Sequence, residues 1–159
     1  MEIDFRPTEL TDVDNLLPLV QEYYEYDGHP FDLVQVRAAL ENLIRHPEWG
    51  RVWFIYRGLQ AVGYVVLTLG YSIEYLGRDA FVDEIYIRES KRGQGIGRAA
   101  FQFLEDACRS LQVHTLHLEV EHANINAQAV YRKLGFTDQK RFLMTRKLMT
   151  TEAQTAESK

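Results

Sequence analysis

The chain has 159 residues, 46% of them apolar and 26% charged, which suits one domain with a substantial core and leaves no room for a second catalytic domain. Its formal charge is −5, and no Lys/Arg block of the kind that tracks phosphates is present, so nucleic acid is excluded as an expected partner. The single cysteine, Cys108, excludes an internal disulfide and any multi-cysteine metal site.

Ile3–Arg6 reads as a short strand ended by Pro7. Thr11, with Asp14 three residues on, is the expected cap of a helix that places Val13, Leu16, Leu17 and Val20 on one face, and Pro18 is expected to kink or interrupt it. Tyr26-Asp27-Gly28-His29-Pro30 breaks the pattern. Asp32 then caps a second helix carrying Val36, Leu40, Leu43 and Ile44, which ends at Pro47. Two extended runs, Val52–Tyr56 and Ala61–Leu69, flank Arg57-Gly58-Leu59-Gln60 and suit a hairpin. Gly70–Asp79 reads as a loop leading to a third extended run, Phe81–Ile87.

Beyond a glycine-rich segment, Ala100, Phe101, Leu104, Ala107, Cys108 and Leu111 recur at helical spacing, with Cys108 as a buried small hydrophobe. Val113–Glu121 alternates as a strand, with Leu116, Leu118 and Val120 opposite Thr115, His117, Glu119 and Glu121. A short helix from about Ala127 to Leu134 is stopped by Gly135, and Phe142–Leu148 is expected to close the sheet. Met149–Lys159 is polar without an apolar face and is expected to be a disordered tail to a single domain over 1–148. His114 and His117 differ in strand parity, and the other possible ligands are not grouped, so no metal site is expected. No basic leader precedes the first strand, and no apolar run approaches the ~18 residues of a membrane span, so a cytoplasmic protein without membrane association is expected.

The chemistry centres on Arg92-Gly93-Gln94-Gly95-Ile96-Gly97, between a strand and the helix that opens near Arg98. Alternate glycines leave backbone N–H groups unshielded, and the helix start adds its own unpaired N–H groups and positive dipole end, which together suit a pyrophosphate. A nucleotide-binding P-loop would need Lys-Ser/Thr after the last glycine, and a dinucleotide fingerprint would need Gly-x-Gly-x-x-Gly near the start of a βαβ unit. Neither pattern is met.

Arg92-x-x-Gly95-x-Gly97, followed by Asn124-x-x-Ala127-x-x-x-Tyr131-x-x-x-Gly135-Phe136, resembles the two signatures of the GNAT superfamily of N-acetyltransferases. The resemblance covers about Phe81 to Phe136. It implies a mixed α/β fold with a mostly antiparallel central sheet, flanking helices and one splayed parallel strand pair that holds the pantetheine arm of acetyl-CoA, the co-substrate. Arg92, Gly93, Gln94, Gly95, Ile96, Gly97 and Arg98 are then expected at the phosphates. Ile85, Tyr86 and Ile87 would meet pantetheine through backbone groups, and Asn124 through its amide.

Acyl transfer to an amine needs a group that takes the ammonium proton and one that protonates the leaving thiolate. Asp83 holds the position of the family's base; Glu84 is second, since a bulge would exchange their faces, and Glu119 on the next strand is third. Tyr131 matches the family's general acid. The expected acceptor is a small-molecule or peptide amine, held by the acids and tyrosines of Gln21–Asp27 with Tyr71, Glu74 and Tyr75 opposite. A homodimer is common in the family. The rival readings are a non-catalytic CoA-binding regulatory module and a nucleotide-dependent phosphotransferase, the latter without its lysine and metal carboxylates.

Overall fold

The computed structural model describes residues 2–148, so the expected tail lies outside the described residues. Five strands, β1 (Ile3–Pro7), β2 (Gly50–Arg57), β3 (Gln60–Ser72), β4 (Gly77–Ile87) and β5 (Thr115–His117), lie side by side in chain order. The first four pair antiparallel, and β4 pairs with β5 in parallel. Four α-helices complete the fold: α1 (Val13–Asp27), α2 (Leu33–Arg45), α3 (Ile96–Ser110) and α4 (Ile125–Lys133). This is the mixed architecture expected. Among the described residues no helix is long and apolar enough to cross a membrane.

Strand alternation divides the core between the two sheet faces. On one face Val52, Phe54, Tyr64, Val66 and Tyr86 pack against Leu16, Leu17 and Val20 of α1 and Leu40 of α2. On the other, Val65, Leu67, Ala80 and Val82 meet Phe101, Leu104 and Cys108 of α3, with Tyr131, Leu134 and Phe136 beside them. Ile55, Val62, Ile96 and Ala100 form a third cluster, which seats the start of α3 on the sheet.

Several expected boundaries are corrected. A 3-10 turn, Leu10–Asp12, precedes α1, and Asp12 rather than Thr11 supplies the side-chain bond, accepting from the Glu9 N–H at 2.9 Å. α1 runs through Pro18 without interruption. The N–H that proline lacks would have served the Asp14 carbonyl in the first turn, so only one bond near the helix start is lost. Asp32 caps α2 as expected, accepting from Gln35 N–H at 3.0 Å.

The expected loop over Gly70–Asp79 is instead the end of a long hairpin, in which Ser72 pairs with Gly77 across a turn at 73–76. Backbone pairing continued past the point where apolar alternation stopped. β5 is shorter than expected, three residues, and Phe142–Leu148 forms no strand. Phe142 and Met144 are each 90% exposed; alternating side chains do not make a strand without a partner edge for the backbone groups.

Candidate active site

Residues 92–98 connect β4 to α3. Gly93 and Gly95 adopt positive φ, 71° and 81°, and Gly95 caps α3 in the left-handed conformation. Non-glycine residues reach that region only with strain. The first helical backbone bond runs from Ala99 N–H to the Gly95 carbonyl at 3.1 Å. The amides of 93–98 therefore have no backbone carbonyl partner among the described residues. A side-chain methyl built on Gly93 or Gly95 would meet nothing within 4 Å, while one on Gly97 would rest at 3.7 Å from Ile87 Cδ1. The loop's concave side is lined by peptide groups, and those unpaired donors at a helix start fit a diphosphate.

Arg92 does not extend freely from this loop. Its Nε–H donates to the Ile87 carbonyl at 2.9 Å, and its guanidinium lies 4.2 Å from the ring centroid of Tyr26 and 5.8 Å from that of Tyr86. It pins the loop to the end of β4 and to the end of α1. Gln94 donates back to the Ser90 carbonyl at 3.3 Å. Arg98 is exposed on the first turn of α3.

β4 and β5 share only three paired positions: Asp79 with Thr115, Ala80 with Leu116 and Phe81 with His117. β4 continues to Ile87 without β5 beside it. The parallel pair is thus splayed, and the β4 amides pointing away from β3 over 82–87 face the opening. Ile85, Tyr86 and Ile87 all lie along this unpaired edge.

β4 also carries a bulge. Val66 pairs with Glu84 while Leu67 pairs with Val82, so Asp83 is the extra residue. The bulge interrupts the alternation that would have set Glu84 on the same face as Val82. Val82 belongs to the α3 face and Glu84 turns to the α1 face, where it accepts from Tyr24 Oη at 2.8 Å and Tyr64 Oη at 2.7 Å.

Burial pushes the Glu84 carboxyl up; the two phenol bonds oppose this, and the nearby Asp83 charge adds to it. Asp83 keeps much of its surface in solvent yet is also raised, by loss of hydration, and it accepts no hydrogen bond among the described residues. Tyr23 is pushed up to about 12 by burial and then by the surrounding acids Asp27 and Glu84. Tyr64 was missed as a site residue in the sequence, where it reads as one more core aromatic; only the bulge reveals that its hydroxyl meets Glu84.

Asn124 caps α4 through Oδ1, accepting from Ala127 N–H at 3.1 Å, and its amide nitrogen has no hydrogen-bond partner among the described residues. The spacing from Tyr131 to Phe136 has a structural cause. Gly135, at φ 95°, ends α4, and Phe136 N–H turns back to the Tyr131 carbonyl at 3.1 Å. This is a Schellman cap. It folds the Phe136 ring to 6.2 Å from the Tyr131 ring, and both stand 5.6 Å from Phe101. Tyr131 is thereby fixed, its hydroxyl raised by burial. Glu119 lies exposed beyond the end of β5.

The expected acceptor wall on α1 is divided among other tasks. Glu22 forms a two-pronged ion pair with Arg88 at 2.8 and 3.0 Å, Asp27 meets His29 at 2.6 Å, and Tyr26 lies under Arg92. Tyr24 turns to Glu84, and Tyr23 packs edge-on against Tyr24 and Tyr64. Across the cleft, Glu74 is held by Arg141 at 2.6 and 2.8 Å, and Tyr75 packs on His117 with centroids 4.8 Å apart. Tyr71 is exposed at the hairpin end.

A splayed parallel pair flanked by a helix-capping glycine loop defines a class, and sequence comparison agrees with it. The model of the acetyltransferase (GNAT) family matches residues 13–136. The chain belongs to this family. A thialysine N-epsilon-acetyltransferase of Bos taurus is 27% identical over 140 residues, covering 80% of this chain and 79% of the bovine one. The crystal structure of an integron cassette protein from the mobile metagenome of Cole Harbour Salt Marsh is similar at a TM-score of 0.81 and 35% identity, over 92% of this chain and 91% of that one. A predicted acetyltransferase of Clostridium acetobutylicum, in a crystal structure with acetyl-CoA, shares the fold at a TM-score of 0.76 and 16% identity, over 91% of this chain and 96% of its own.

Proposed function

We propose that the protein is an N-acetyltransferase that moves the acetyl group of acetyl-CoA to a primary amine by direct attack, with a small-molecule amine favoured over a peptide. The observation that carries this reading is the splay of β4 from β5 beside the unpaired amides of 93–98. The bovine relative, named for the ε-nitrogen of thialysine, supports an amine of small size.

Acetyl-CoA supplies an activated thioester. The amides of 93–98 hold its diphosphate, with Arg98 adding charge and Arg92 fixing the loop. β4 amides over 85–87 and the free amide of Asn124 bind the pantetheine arm. An alkyl ammonium has no lone pair, and at neutral pH roughly three pK units, about 4 kcal/mol, separate it from the free amine. Asp83 takes that proton, directly or through water, since it has no competing hydrogen bond. Glu84, held by two phenols, adds fixed negative charge that draws the cation to the same face. Amides at the β4 opening stabilise charge on the carbonyl oxygen as the new C–N bond forms. When the C–S bond breaks, Tyr131 protonates the departing sulfur, the attacking nitrogen releases its second proton to solvent and Tyr131 is reloaded from solvent, giving the acetylated amine and free CoA thiol.

Incubation with acetyl-CoA and a panel of polyamines, aminoglycosides, amino acids and peptides tests the reading by appearance of free thiol and acetylated product together. The expected result is transfer to at least one amine, with small amines ahead. Binding of acetyl-CoA without transfer to any of them contradicts it and favours the CoA-binding module.

A further inference from the structure

The acceptor face of the sheet does not end at the bulge. Ala80 and Val82 face α3, so Asp79 and Phe81 lie on the opposite, α1 side, below Asp83 along β4. There His117 Nε2 lies 3.2 Å from Asp79 Oδ2, with side chains 17% and 15% exposed. The imidazole is flanked by Phe81 at 4.9 Å and Tyr75 at 4.8 Å between centroids. Phe81 is 39% exposed, although its strand neighbours on the other face are buried.

An Nε2–H directed to a carboxylate leaves the Nδ1 lone pair as the free acceptor. Nδ1 has no hydrogen-bond partner among the described residues. The imidazole and the Asp79 carboxyl group thus lie together beside two aromatic rings. The other charges nearby, Glu74 and Arg141, neutralise each other through their two-pronged pair. Such a setting binds an ammonium group by hydrogen bond, charge and ring quadrupole together.

We propose that His117, Asp79, Tyr75 and Phe81 form the distal half of the acceptor site and select an amine bearing a second cationic group, a linear diamine or lysine-like chain. The inference rests on the transferase reading above. His117 pairs with Phe81, two residues before Asp83, a rise of roughly 7 Å along the strand. That span fits a chain of four or five methylenes between the reacting nitrogen and the held one.

The test compares acetyl transfer to 1,4-diaminobutane and to n-butylamine in the full chain. The ratio of their kcat/KM values is read within each variant, so loss of folded protein cancels. Beyond the statistical advantage of two equivalent amines, the diamine is expected to lead by roughly tenfold, the scale of one hydrogen bond to a charged group. His117→Phe, which keeps a ring and deletes both nitrogens, and Asp79→Asn are each expected to collapse the ratio to that statistical advantage alone. Equal use of the two amines by the unaltered protein, or retention of the preference in either variant, overturns the distal site while leaving the transferase reading intact. Absence of transfer to both amines, with transfer to another amine of the wider panel, likewise overturns the distal site and leaves the transferase reading standing.

Discussion

At the scale of single residues, the bulge at Asp83 underlies the proposed chemistry. A carboxyl whose pKa is raised by folding above its ordinary value, 3.8 for aspartate, binds its proton more tightly in the native state than in the unfolded chain. Stability is then greatest below the unfolded value and is lost as pH rises through the folded one. Asp83→Asn is therefore expected to raise the melting temperature at neutral pH, with a gain that fades below pH 3.8, and to lower kcat by about 10²-fold. Thermal melts and turnover on one sample separate these effects; a variant that loses stability at neutral pH, or keeps full turnover, contradicts the role. Tyr131→Phe is expected to slow transfer from acetyl-CoA by about 10²-fold, yet much less from a thioester whose thiol is acidic enough to leave unprotonated. An equal loss with both donors would assign Tyr131 to packing with Phe101 and Phe136.

The elements show why the glycines of the loop are unequal. Gly95 caps α3 at φ 81°, whereas Gly97 lies inside the helix with room for a methyl group against Ile87. Gly97→Ala is expected to hold or raise stability by up to about 1 kcal/mol through helix propensity. Gly95→Ala is expected to cost about 1–2 kcal/mol through left-handed strain and to weaken acetyl-CoA binding as the loop relaxes. Denaturant unfolding with acetyl-CoA titration distinguishes them; equal effects would contradict the loop geometry. The same element shows how far sequence reading reached. Helical periodicity and the alternate glycines located α3 and its cap, because both are local. The bulge was not legible, since pairing of Glu84 with Val66 depends on a strand about twenty residues away. The hairpin over 70–79 was hidden for a related reason: its backbone pairs where its side chains cease to alternate.

Across the whole molecule, two helical layers divide the work. On one face α3 follows the glycine loop and carries Phe101 against Tyr131 of α4; α1 on the other brings Tyr24 to Glu84 and Tyr26 to Arg92. The motif residues were recognisable in the sequence because each answers a local demand, a helix start or a Schellman cap. The acceptor side was not. Its residues come from α1, the β3–β4 hairpin and β5, and their charges are divided among partners such as Arg88 and Arg141 that no spacing rule connects.

The central claim is that the backbone amides of 93–98 and the open edge of β4 receive acetyl-CoA. Amide NMR of the uniformly 15N-labelled protein during titration with acetyl-CoA tests it most directly. The predicted result is saturable shifts concentrated at Gly93–Arg98 and at Ile85–Ile87, with the β1–β2 end of the sheet unchanged. Saturation with no shift at these amides, or with shifts centred elsewhere, would contradict the account.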